Sequence, residues 1–443
     1  MGGLAFASDP DPVLTPRMPP RVYRAVRDRC QKKLRKLFVV VATPIEGPAK
    51  TSFGDIDLFV AWARKDVFPS SKPTTCSSLE SPKEAVCRVL GAIKSKSENA
   101  HTATLAIPWP KDFPYSSNEA QTDGAESDKQ DAKSLADSKA LCIQVDIHIC
   151  KTLEQLQWML FKHAHGDLWN LIGATIRPSG LTIDEVGLYV RIPEVEEFDK
   201  KKARVLLSTE PAEILRFLGL HFDAKQWEEP FGSDEDVFEY AATCRLFWAK
   251  TKDAGNGDEK GDGSGAAVGA DKRKLKSNDR RRMAFRPLFR KWVEEYLPAC
   301  RASGRFAAAP PTRDEVREQA FAYFAGTASI YAAQATEWRV KRQEATLWRD
   351  VIKLAVPESG VDVNRRSCCI AALKKIILQN EEVGGIVAPR TLRRRDDDGL
   401  FDEAAVRLWV EANWRHVMDV AWAINQQRYK ESAKLKGATK RTR

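Results

Sequence analysis

The sequence contains no apolar run approaching the ~20 residues that cross a bilayer, and its first residues lack the charged-then-apolar layout of a secretory signal. Met1-Gly2-Gly3 is followed by Leu4, Ala5 and Phe6, without the hydroxyl residue that a myristoylation signal wants at the sixth position. These absences argue against membrane partners and predict an intracellular protein, nuclear or cytoplasmic. There is no Cys-x-x-Cys pair among the nine cysteines, and the vicinal pair Cys368-Cys369 suits neither a disulfide nor a structural zinc site. Reduced thiols are expected. No internal repeat is evident, and nothing in the sequence sets the oligomeric state.

What is present is a chain of 443 residues, long enough for two or three domains, with 43% hydrophobic and 30% charged residues. Its net charge of +10 favours acidic partners such as nucleic acid or nucleotide phosphates, although many basic proteins bind neither. Prolines at 10, 12, 16, 19 and 20 predict an extended arm, assigned to 1–29. Within and beyond it, the spacing of Val22, Val26, Cys30, Leu34 and Leu37 is helical. Strand patterns follow at 38–42, 53–62, 102–109 and 141–150, with helices at 81–94, 153–163 and 166–176 and a strand at 186–192. Residues 112–139 read as a solvated loop, and 251–280, poor in bulky apolar residues, as a flexible basic linker. Five candidate helices lie beyond it, within a helical domain at 281–430, before a basic tail at 431–443.

The chemistry is concentrated in FGDIDLFV, residues 53–60. In a strand, residues two apart share a face, so Asp55 and Asp57 project side by side. Two such carboxylates repel unless a cation lies between them, and hard oxygen donors at that spacing suit Mg²⁺. Gly54 lets the chain turn closely past a phosphate. Asp146 in VDIHI is a third carboxylate in a largely apolar strand, and the three make a two-ion Mg²⁺ site the expectation, with Mn²⁺ as an alternative ion. The competing account is three solvent-facing aspartates on edge strands.

FGDIDLFV, VDIHI, HGDLWN, GLTIDEVGL and STEPAEILRFLGL resemble, in that order, the DNA polymerase beta-like (family X) nucleotidyltransferases over roughly residues 30–232. The resemblance implies an α+β fold, with a nucleotidyltransferase palm at 30–160 and a small thumb-like subdomain at 161–250, followed here by the all-helical C-terminal domain. It implies Asp55, Asp57 and Asp146 as catalytic metal ligands. Gly166, Asp167 and Asn170 match the segment that touches the base and sugar of an incoming NTP or dNTP. Thr182, Ile183 and Glu185 match a turn to which a structural role is given.

The chain departs from the family where a Gly-Ser or Gly-Gly pair normally grips the triphosphate. Residues 42–50 stand there instead, with Thr43 as a substitute hydroxyl, Lys50 as a phosphate-holding charge, and Glu46 as an unwelcome anion unless it points away. The lyase and helix-hairpin-helix elements of repair polymerases have no counterpart before the catalytic strand.

His163 and His165 flank Ala164 before the matched turn, where His165 would touch ribose or phosphate; carbonyl-satisfied histidines are the plain alternative. His148 shares a strand face with Asp146 but is a poor Mg²⁺ ligand. Trp169 reads equally as a wall against a base or as core, and the tryptophans of the C-terminal half chiefly as core. Arg177, Arg191 and Arg216 are minor phosphate candidates, and the basic run from Lys272 to Arg282 is either a nucleic-acid tether, an import signal or a solvated linker. The resulting expectation is transfer of a nucleoside monophosphate to a hydroxyl with release of pyrophosphate, the acceptor being the 3′ end of a DNA or RNA strand. The alternatives are nucleotidylation of a protein or small molecule, and an inactive relative that binds nucleotide or nucleic acid.

Overall fold

The computed structural model describes residues 3–48, 50–68, 80–97, 99–115, 140–222, 227–249, 277–393 and 399–439. It is an α+β protein with a five-stranded mixed sheet and a helical C-terminal region. Most of the expected loop at 112–139 and linker at 251–280, together with residues 440–443, lie outside the described residues. The chain divides into two compact units, one of residues 1–191 and 204–325, the other of residues 192–203 and 326–443.

In the first unit, helix α1 spans Pro20–Leu34. Pro20 opens it at a position where a proline's fixed φ and missing N–H are tolerated, so the extended stretch ends at Pro19, short of residue 29. The preceding residues are packed down: Phe6, Val13 and Met18 are buried, and Leu14 and Met18 form isolated bridges with Leu141 and Phe53. Val22, Val26, Cys30 and Leu34 form the buried stripe of α1. Helix α2, Pro82–Leu90, carries a Ser81/Glu84 capping box and ends at Gly91 in the left-handed region.

The strands are β1 (Phe38–Ala42), β2 (Asp55–Ala63), β3 (Lys94–Lys96), β4 (Thr102–Pro108) and β5 (Cys142–Ile149), in the order β1-β2-β5-β4-β3. Only β2 and β5 are parallel; the other neighbours are antiparallel. One face forms a core with α1 and α2, built on Ile56, Leu58, Val60, Leu105, Ile143, Val145 and Ile147. Helix α3 (Leu153–His163) packs against β2, and α4 (Leu168–Ile176) follows. A second, antiparallel sheet joins β6 (Leu181–Ile183), β7 (Leu188–Arg191) and β8 (Arg204–Ser208). Its β6–β7 turn is held by Asp184, whose Oδ1 accepts from the amides of Val186 and Gly187, and a Cβ at Gly187 would lie 2.4 Å from the Ser208 carbonyl oxygen. Thr182, Ile183 and Glu185 therefore belong to a structural hairpin.

The second unit is built on helices Thr327–Thr346, Val363–Leu378 and Glu403–Thr439, the first continuing through a π-helical turn at Leu347–Ile352. Leu347, Val351, Leu373, Ile376, Val410 and Val417 are among its core residues. Trp414 is buried there with Trp348 and Trp409 packed against it, as a core account of the tryptophans requires. The last helix runs to Thr439, well into the expected basic tail, because Ala, Lys and Leu extend an existing helix at low cost. Among the described residues no helix is long and apolar enough to cross a membrane, and the described cysteines are free thiols.

Candidate active site: an aspartate trio on the central strands

Along β2, Ile56, Leu58 and Val60 enter the core, which leaves Asp55, Asp57 and Phe59 on the opposite face. Along β5, Ile143, Val145 and Ile147 do the same, leaving Gln144, Asp146 and His148 opposite. The parallel register sets Asp57 beside Asp146 and Asp55 beside Gln144. All three aspartates thus share one face of two adjacent strands, each partly buried.

Their electrostatics follow from that placement. Asp55 and Asp57 are both held above the ordinary carboxylate range, first because burial penalises the charged form. The charge of Asp146 adds to the effect on Asp55, and those of Asp55 and Asp146 to the effect on Asp57; Lys50 opposes it at both. Asp146 Oδ2 accepts from Gln144 Nε2 at 2.9 Å, whereas its Oδ1 is buried with no hydrogen-bond partner. A buried orphan oxygen beside two carboxylates that resist ionising lacks a positive charge. Hard oxygen donors of this kind fit Mg²⁺ or Mn²⁺. Among the described residues no three His, Cys, Asp or Glu side chains are already drawn together to hold a metal ion. The fit lies in the shared face and register: neighbouring strands are about 4.8 Å apart, a span that two aspartates close on one cation by rotating their side chains.

The segment at 43–50 borders this face. Thr43 Oγ1 accepts a long contact of 3.5 Å from Gln31 Nε2. Lys50 pairs with Glu46 at 2.9 Å and lies 4.8 Å from the ring centroid of Phe53, which stacks on Tyr23. The Tyr23 hydroxyl donates to Glu46. Glu46 is held by Tyr23 and Lys50, and its charge adds, after larger causes, to the rise at Asp57. Lys50 is thereby paired with an internal anion, while its charge is also felt by Asp55 and Asp57.

The turn at 165–167 meets this segment backbone to backbone. His165 and Gly166 both have left-handed φ, 59° and 63°. The His165 amide donates to the Ile45 carbonyl at 2.8 Å, and a Cβ on Gly166 would come within 3.3 Å of the Gly47 Cα. The His165 ring is fully buried, 5.1 Å from Trp227 and 4.6 Å from Phe231, so it packs as a core side chain, closer to the plain alternative than to a ribose or phosphate contact. Trp169 is likewise core, its indole donating to the Phe161 carbonyl at 2.9 Å.

Asp167 and Asn170 are held from a distant stretch of chain. Arg286 donates to Asp167, Arg282 Nε to Asn170 Oδ1 at 3.3 Å, and Asn170 Nδ2 to Asp167 Oδ1 at 3.1 Å. Buried Asp279 joins Arg282, at 2.6 Å, to Arg177, at 3.0 Å. Of the minor arginine candidates, Arg191 is buried and donates to the Arg177 and Gly180 carbonyls, while Arg216 is exposed. Arg282 ends the basic run read as a tether, an import signal or a solvated linker, and Arg286 lies just beyond it as an extended residue between two helices, where nothing local names the partner of either. Removing the Arg286 guanidinium should cost about 1.5–3 kcal/mol, the range for a charged hydrogen bond. Denaturant unfolding of Arg286→Ala would check this, with a smaller further loss expected when Asp167→Asn is added.

His148 stacks on Phe59 at 4.9 Å, and His163 of α3 lies 5.1 Å from the same ring. Burial lowers both imidazoles, His163 to about 4, so neither offers the trio a positive charge near neutral pH.

No protein-family model matches this chain, and no curated protein matches it.

Proposed function

We propose that this chain is a Mg²⁺-dependent nucleotidyltransferase, with the five-stranded sheet as a polymerase beta-like palm and the region around α4 and the β6–β8 sheet as a thumb-like nucleotide-binding part. The observation that supports this most is the parallel pairing that sets Asp57 directly beside Asp146 on the face carrying Asp55. In this reading the three aspartates would hold two Mg²⁺ ions, and Asp146 would take the proton of the attacking hydroxyl. Bound there, Mg²⁺ would acidify that hydroxyl and neutralise the triphosphate as pyrophosphate leaves. Gly54 allows close passage of a phosphate, while Thr43 and Lys50 stand where the family grips the triphosphate; Lys50 reaches a phosphate only by releasing Glu46. The turn at Gly166, with Asp167 and Asn170, addresses base and sugar. The net charge of +10 favours the 3′ end of a DNA or RNA strand as acceptor over a small molecule or protein.

The Glu46–Lys50 pair favours one second reading, an inactive relative that binds nucleotide without transferring it. Purified protein incubated with labelled ATP, GTP, CTP or UTP, Mg²⁺ and pooled RNA and DNA oligonucleotides is expected to extend the oligonucleotides, and Asp55→Ala to abolish extension. Label on protein or a small product would shift the acceptor. Nucleotide binding unaffected by Asp55→Ala, with no transfer, would establish the inactive reading.

A further inference from the structure

Gln144 is a buried polar side chain in the middle of β5, two residues before Asp146 and on its face. Its amide is used on both sides. The backbone amides of Gly3 and Ala5 both donate to Oε1, at 3.1 and 3.2 Å, and Nε2 donates to Asp146 Oδ2 at 2.9 Å. Two donors on one atom fix which end of the amide is oxygen, so the NH₂ must face the carboxylate. With Oδ2 so engaged, Oδ1 is the orphan atom left for a cation.

The segment that orients Gln144 is itself locked. Gly3 has φ +84°, and a Cβ there would lie 2.7 Å from the Thr15 carbonyl oxygen and 3.0 Å from that of Gly54, the residue before Asp55. The Thr15 hydroxyl donates to the Gly3 carbonyl, and Arg17 donates to Ser52 Oγ and its carbonyl, both at 2.8 Å. Phe6 and Met18 bury their side chains at either end of this strap.

The geometry points to Gln144 as a positioning residue for Asp146, its orientation set by the strap at residues 3–18; this rests on the reading of the aspartates as a cation site. Partners that orient a metal ligand are typically worth about 10–100-fold in metal affinity. Gln144→Met keeps the side-chain length and removes both ends of the relay. Thr15→Val loosens Gly3 without touching the strand.

The test is titration of Mn²⁺ alone into the metal-free full chain, read by loss of the free-ion electron paramagnetic resonance signal, with melting temperatures measured without metal. Wild type should bind, Asp146→Asn should lose binding, Gln144→Met should bind about 10-fold more weakly, and Thr15→Val about two- to threefold more weakly. A structural role alone would lower the melting temperature of Gln144→Met and leave its affinity unchanged, which would overturn the positioning role. Should Gln144→Met fail to fold, unchanged affinity in Thr15→Val overturns the strap's part. Wild type that binds no Mn²⁺ overturns the cation reading and this proposal with it.

Discussion

Asp146→Asn is expected to cut nucleotide transfer by about 10³-fold, at the upper end for losing one preorganised charge-stabilising group, while making the metal-free protein more stable. On the proposed function, the activity loss would follow from removing one of three oxygen ligands and the group that takes the hydroxyl proton. The stability gain follows from the arrangement of the amide. Gln144 donates to Oδ2, so the substituted side chain keeps its oxygen there and turns its NH₂ to the orphan position, on the face that carries the other two aspartates. A like-charge neighbour becomes a donor, worth about 1–3 kcal/mol. Asp57→Asn should act in the same sense. An incorporation assay paired with calorimetry checks both halves. Full activity in the variant would dismiss the site, and a fall in metal-free stability would dismiss the electrostatic account.

The second large effect is with pH. Asp55 and Asp57 titrate above the ordinary aspartate value, about 3.9. Between that value and their raised ones, the native state binds more protons than the unfolded chain. Stability therefore falls as pH climbs through this window, and the contribution is fully retained only below it. Cation binding requires the charged forms, so affinity should run the other way, strengthening by up to about tenfold per pH unit for each proton displaced. Buried His148 and His163 pull the other way below about pH 6.5, so the aspartate effect is read above it: the metal-free protein should melt lower at pH 8 than at about pH 6.5, and saturating Mn²⁺ should raise the melting temperature more at pH 8. Equal Mn²⁺ shifts at both values would contradict the raised carboxylates.

Much of this was readable in the chain because the signals are local. Alternation around Asp55, Asp57 and Asp146 gave the strands and which residues share a face, and the Pro-capped stripe of Val22, Val26, Cys30 and Leu34 gave α1. The short strands β3 and β8 were not legible. Lys94-Ser95-Lys96 is an edge, where lysines guard unpaired backbone and leave no apolar alternation. Helix Asp234–Ala242 went unassigned although Ser233 caps it ahead of three acidic residues, a signal present but not used. The parts of the site that depend on distant chain were invisible: Gln144 acquires its meaning from Gly3 and Ala5, and Asp167 from Arg286. The burial of His165 was illegible for the same reason, since the aromatic residues that enclose it come from a later segment.

The pairing of β2 with β5 has a kinetic side. Residues 55 and 144 meet only after a long loop has closed, and parallel neighbours form no hairpin that would bring them together early. The acidic face is therefore expected to form late in folding, with its repulsion felt chiefly in the finished protein. A divalent cation should accordingly leave the refolding rate nearly unchanged and slow unfolding instead, lengthening the lifetime of the native chain.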